Sequence, residues 1–127
     1  MRPHFDYYLG SLDRWPFHVG VNLGLKDQAP LKGLPWRAHI RIDLLQPTVD
    51  GLATTDEETE LYAVEDFILS RLESTRNSFV AQVTHRNRRT MVLYVESEPK
   101  EKHPLLMAIA AVKSHSVALV ECAHDPE

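Results

Sequence analysis

Between Arg37 and Glu96 the alternation of apolar and polar positions changes period twice, and each change marks an element. Ala38, Ile40, Ile42 and Leu44 alternate with Arg37, His39, Arg41 and Asp43, which places apolar side chains on one face of a strand and charged ones on the other. Pro47 restricts φ and the Asp50-Gly51 pair tolerates φ > 0, so the chain turns there. Thr55 stands three residues before Glu58, the reciprocal spacing of a helix start. Leu61, Val64, Ile68 and Leu72 then form one apolar stripe, predicting a helix from about Asp56 to Ser74. The period returns to two in Phe79, Ala81 and Val83 and in Met91, Leu93 and Val95, two strands joined as a hairpin by His85-Arg86-Asn87-Arg88.

The flanks continue the pattern. Phe17, Val19, Val21, Leu23 and Leu25 alternate as an earlier strand, with Phe5 to Leu9 pairing against it across Ser11 to Pro16. Pro104, suited to the first helical position, precedes Leu105, Ala108, Ile109 and Val112, a second helix ending near Ser114. Val117 to Cys122 reads as a final strand. From Arg37 onward the order is strand, helix, strand, strand, helix, strand. This predicts an α+β fold of the ferredoxin-like split βαβ type: an antiparallel sheet with two helices on one face, here with an extra N-terminal strand or hairpin. In that arrangement the Arg37 strand is central. The Phe17 strand can then neighbour it only if the last strand is displaced; the alternative is an edge, in keeping with the eleven residues from Lys26 to Trp36, long for a hairpin loop.

Composition adds bounds. A chain of 127 residues can bury about 65–70% of its unfolded surface, enough for one domain without a disulfide or metal staple. Its single cysteine, Cys122, forms no internal disulfide, and the opening Met-Arg-Pro-His-Phe-Asp has no apolar run like that of a signal peptide, so a cytoplasmic location is expected. No apolar stretch approaches the ~20 residues of a membrane span. A net charge of -4 argues against general attraction to nucleic acid.

Candidate chemistry is sparse. The seven histidines form no His-Glu-x-x-His or Cys/His spacing. On one strand His39 and Asp43 lie ~13 Å apart, too far to share an ion, so no metal or other cofactor is expected. Cys122 falls on a strand without a neighbouring base, and neither a Gly-x-Ser-x-Gly elbow nor a phosphate-cradling glycine loop is present. No catalytic residue is assigned. Asp56, Glu57, Glu58 and Glu60 suit the first turn of a helix, where carboxylates oppose the dipole. Mid-helix, Glu65 or Asp66 is placed to face a sheet residue such as Arg41. Arg86, Arg88 and Arg89 cluster at the hairpin tip, where guanidinium groups can meet carboxylates or phosphates.

Several short motifs occur together: Val21-Asn22-Leu23-Gly24-Leu25 followed by Ala29-Pro30, Asp50-Gly51-Leu52, Leu61 with Glu65-Asp66, Gln82-Val83-Thr84 before a basic turn and Val92-Leu93-Tyr94, and His124-Asp125-Pro126. Taken over nearly the whole chain, they resemble the bacterial domain of unknown function 695 family. The resemblance implies a ferredoxin-like fold and brings no established activity or catalytic residue. It also implies kinship with the regulator of ribonuclease E activity B family, whose members act by binding an enzyme. The family pattern carries a tryptophan shortly after Asp-Pro; this sequence ends at Glu127.

The sheet face turned away from the helices is the main functional expectation. If Phe79, Met91 and Leu93 point at the helices, then Val80, Val92, Tyr94 and Val120 point away, beside His39 and Arg41. A sheet face in water should be polar, so these apolar positions predict cover by a protein partner, by a second copy, or by Leu31, Leu34 and Trp36 of the long loop. A protein-binding or regulatory module is the first reading, with Val80, Val92, Tyr94, Arg86, Arg88 and Arg89 as contacts. A small-molecule-binding domain or enzyme with a site near Trp36, His39 and Arg41 is the second. RNA binding is third, since the paired aromatics of a ribonucleoprotein sheet are missing.

Overall fold

The computed structural model describes residues 5–23 and 33–124. The strands are β1 (Phe5–Leu12), β2 (Trp15–Asn22), β3 (Trp36–Asp43), β4 (Asn77–His85), β5 (Arg88–Val95) and β6 (Val117–His124); the helices are α1 (Thr55–Ser70) and α2 (Pro104–Ala111). All six strands form one antiparallel sheet in the order β1-β2-β4-β5-β3-β6. The Phe17 strand thus joins beyond β4, far from β3, and the β1–β2 hairpin forms one margin of the sheet. Leu25 and Leu31 lie outside the described residues.

Both hairpin turns are two residues long with positive φ at each position, Asp13 and Arg14 in one and Arg86 and Asn87 in the other. This geometry matches the right-handed twist of the flanking strands. The β3–α1 loop leans on the second turn: the Asn87 carbonyl accepts from the Leu44 N–H at 3.0 Å, and the Asn87 N–H donates to the Gly51 carbonyl at 2.9 Å. Gly51 has φ +82, and a Cβ there would come within 3.0 Å of the Arg86 Cα, so the close approach requires glycine.

The helix start falls one residue earlier than expected. Thr54 is the N-cap of α1, its hydroxyl accepting from the Glu57 N–H at 3.2 Å. Thr54 and Glu57 have the spacing of a capping box, but Glu57 turns away from the cap. Its carboxylate takes the N–H groups of Leu45 at 2.5 Å and Gln46 at 2.8 Å, tying the preceding loop to the helix. The helix ends at Ser70, short of the predicted Ser74, and Leu72 is buried from the turn that follows. In α2 the N-cap is His103, whose Nδ1 accepts from the Leu105 N–H.

The core lies between the helices and one face of the sheet. Ala38, Ile40 and Ile42 of β3 and Met91 and Leu93 of β5 meet Leu61, Val64 and Ile68 of α1 and Leu105 and Ala108 of α2. The alternation read from β3 and β5 therefore holds. In β4 it does not: the register shifts between Phe79 and Ala81, so Phe79 faces the helices, Ala81 and Val83 face away, and Gln82 and Thr84 are the buried positions. Val80 sits in that irregularity and Val120 in a second one in β6. A single extra residue reverses the parity of everything beyond it, which corrects the expected inward placement of Ala81 and Val83.

Candidate functional site

On the face opposite the helices, strand pairing aligns Val19 with Val83, Val21 with Ala81, and Ala81 in turn with Val92. With Phe17 beside His85 and Tyr94 beside Ser78, these form an apolar strip across β2, β4 and β5. Every one of them is half-buried, and Tyr8 on β1 is half exposed at the margin. The strip is longer than the sequence predicted because the β4 bulge adds Ala81 and Val83 to it. On β3 the same face turns charged. His39 Nδ1 lies 3.0 Å from the Glu121 carboxylate, and Arg41 Nε lies 3.4 Å from Asp43.

At the hairpin tips the strip runs into a depression of about 720 Å³ lined by Trp15, Val83, His85, Arg86, Arg88 and Thr90 among others. Arg86 stacks over the Trp15 ring at 5.2 Å, and Arg88 is exposed, its Nε 3.9 Å from Asp43. The His85 Nε2 is buried without a hydrogen-bond partner. The depression is thus basic and adjoins an apolar strip.

Arg89 does not belong to this cluster. It is fully buried on the opposite face, since its parity is that of Met91 and Leu93. Arg89 Nη1 lies 3.2 Å from the Glu65 carboxylate, Nη2 binds Glu58, and the guanidinium carbon sits 5.8 Å from the Tyr62 ring centre. The sheet residue facing Glu65 is therefore Arg89 and not Arg41. Two of the acidic residues near the start of α1 also do more than oppose the dipole: Glu58 neutralises Arg89, and Glu57 holds a loop. A glutamate three residues after a cap was visible in the sequence; its true partners, distant in the chain, were not.

Two helices about 10 Å wide cover roughly four strands spaced ~4.8 Å apart. Six strands leave β1 and β2 without a helix above them. Beside α1 this overhang opens a cavity of about 410 Å³, whose walls include His18, Glu58, Thr59, Tyr62 and Thr84. The buried Thr84 Oγ1 has no hydrogen-bond partner, nor do both polar atoms of the Gln82 side chain, one pleat further along. Burial, with Tyr7 and Glu58 acting in the same direction, raises the Tyr62 phenol well above its ordinary pKa, so it stays protonated.

The residues of the second reading are not brought together. His39 and Arg41 lie on the open face, whereas Trp36 has the parity of Ala38 and meets the His124 ring at 4.9 Å on the helix side. Leu34 is buried. Cys122 faces the helix side opposite Ala38, and burial, helped by Glu98, pushes its thiol pKa up, away from the reactive thiolate. Among the described residues no group of His, Cys, Asp or Glu could hold a metal ion, and no described helix is long and apolar enough to cross a membrane.

These features define a small α+β protein whose six-stranded antiparallel sheet carries two helices on one face and an apolar strip on the other. The chain belongs to DUF695, a family of unknown function, whose model matches residues 4–127. Comparison with curated proteins and with solved structures returns no match.

Proposed function

We propose that the protein is a protein-binding module, with a regulatory role, that docks a partner on its open sheet face, the docking itself being non-enzymatic. The observation that carries this reading is the continuity of the strip Phe17, Val19, Val21, Ala81, Val83 and Val92 with the basic depression at Arg86 and Arg88. Contiguous apolar strand positions in water are costly unless covered, and a partner buries them. The fitting occupant is a protein surface with an apolar centre and an acidic group that seats at the depression. We read β3 to β6, in the order β4-β5-β3-β6 with both helices on one face, as a ferredoxin-like split βαβ unit widened by the β1–β2 hairpin. A kinship with the regulator of ribonuclease E activity B family agrees with action by binding. A cytoplasmic location is part of the same proposal.

The test is capture from the native cytosol with two baits, wild type and Tyr94→Arg. A partner retained by wild type and lost from the variant, with unfolding midpoints equal, supports docking at this face. Equal retention on both baits removes Tyr94 from the contact, and an empty wild-type bait that sediments as a monomer contradicts the reading. A second reading, a small polar ligand in the overhang cavity, is favoured by the unpartnered Thr84 hydroxyl in its wall. Native mass spectrometry of freshly purified protein reads it directly, as a bound mass lost in Thr84→Val.

A further inference from the structure

Two side chains of the loop between α2 and β6 and one of α1 form a relay that the docking face does not use. Ser114 Oγ lies 3.0 Å from His115 Nδ1, and His115 Nε2 lies 3.1 Å from the Glu57 carboxylate. Glu57 and His115 are buried, whereas Ser114 is exposed. Burial alone would raise the Glu57 pKa. The N–H groups of Leu45 and Gln46, together with His115, outweigh burial and hold the carboxyl below its ordinary range, so Glu57 is an anion at neutral pH. An ionised carboxylate only accepts hydrogen bonds, so the proton between it and the ring belongs to Nε2. With the proton on Nε2, Nδ1 is the ring's remaining acceptor for the Ser114 hydroxyl.

Nucleophile, base and orienting carboxylate are thus connected in the sense that activates a serine. The serine also has somewhere to put a substrate. Ser114 lines a cavity of about 410 Å³ between the helices whose other walls include Glu60, Ala63, Val64, Phe67, Val112 and Lys113. Its apolar walls suit a hydrocarbon chain, and Glu60 and Lys113 are its charged groups.

We propose that Ser114 is the nucleophile of an esterase site for carboxylic esters with short apolar acyl chains. Ser114 Oγ adds to the ester carbonyl carbon as its proton passes to His115 Nδ1. Positive charge on the ring is stabilised by Glu57, and Lys113 in the cavity wall is the cation available to the negative carbonyl oxygen. Collapse breaks the bond to the alkoxy oxygen, which leaves as an alcohol with the proton from His115. Water then adds to the acyl-serine carbonyl carbon, giving a proton to His115; collapse breaks the bond from that carbon to Ser114 Oγ, His115 returns the proton to Oγ, and the carboxylic acid leaves. Water is the one co-reactant, and no oxidant or metal is required.

The experiment treats the whole chain with an alkyl fluorophosphonate, which phosphonylates activated serines, and maps the modified peptide by mass spectrometry; hydrolysis of p-nitrophenyl butyrate is followed in parallel. The expected result is one phosphonyl group on Ser114, absent from urea-unfolded protein and from Ser114→Ala. Ester hydrolysis should fall at least ~100-fold in that variant, the scale of a lost activated nucleophile. Ser114 is exposed, so the variant should keep the wild-type unfolding midpoint, and circular dichroism checks this. Wild type that stays unlabelled, labelling elsewhere, or hydrolysis that persists in Ser114→Ala overturns the assignment. Wild type alone decides the labelling arm, whatever any variant does.

Discussion

Two buried charged residues organise the interior, and each predicts a different response to substitution. Arg89 is enclosed between β5 and α1 with Glu65 fully buried against it. Replacing Arg89 by Met leaves a buried carboxylate without its cation, which should cost about 3–5 kcal/mol in denaturant unfolding. Adding Glu65→Leu should recover part of that loss, because the stranded charge is then gone. Glu57 predicts a pH effect. Its folded pKa is depressed, so its stabilising contribution is present above the ordinary glutamate value of 4.5 and is lost as pH falls below that towards the folded pKa. The unfolding free energy of Glu57→Gln should be lower than wild type near pH 7 and should fall less between pH 5 and 3; parallel curves would exclude Glu57 as the titrating group. Neither role was legible in the sequence. The Arg86-Asn87-Arg88-Arg89 run reads as a basic turn, and only strand parity separates Arg89 from the others. Glu57 sits among acidic neighbours that helix electrostatics already explains, and its partners Leu45, Gln46 and His115 come from two loops.

At the level of elements the periodicity was informative wherever the backbone was regular. The stripe Leu61, Val64, Ile68 and Leu72 is buried as read, the last of them from the turn after α1, and so are the alternating positions of β3 and β5. Ile68→Ala should therefore cost about 2–5 kcal/mol through lost burial and a residual cavity. An unchanged denaturant midpoint at constant slope would remove Ile68 from the core. The turn at Asp50-Gly51 was equally visible, and the structure adds its reason: the Gly51 backbone lies against the β4–β5 turn. Gly51→Ala should lose at least ~1–2 kcal/mol, the steric penalty of the left-handed conformation for a residue with a Cβ. Equal stability would show that the loop can lift off Arg86. Where the backbone was irregular, the pattern misled. A bulge near Val80 has no compositional mark, and it turns Ala81 and Val83 outward while burying Gln82 and Thr84. Because β-branched and small residues suit either face of a sheet, no choice between the two registers follows from residue type.

For the molecule as a whole, the relation between sheet width and helix cover decides what is left for function. Two helices shield about four strands, so the hairpin β1–β2 overhangs on one side, while the other side has no helix at all. The order of elements, the antiparallel sheet and the common face of both helices followed from the sequence. The extent of the apolar strip did not, because most of it comes from β2 and from β4 beyond the bulge. Docking through this face should respond to two separable changes. Arg86→Ser with Arg88→Ser should slow association and flatten its dependence on ionic strength, since exposed arginines steer encounter more than they hold the complex. A charge within the strip should act on dissociation instead. The most direct test is the equilibrium affinity of the captured partner for wild type and for Val92→Glu, with both proteins shown to unfold at the same denaturant midpoint. Docking on the open face predicts at least a ~10-fold weaker complex for Val92→Glu, about 1.4 kcal/mol, through faster dissociation. Equal affinities would contradict it.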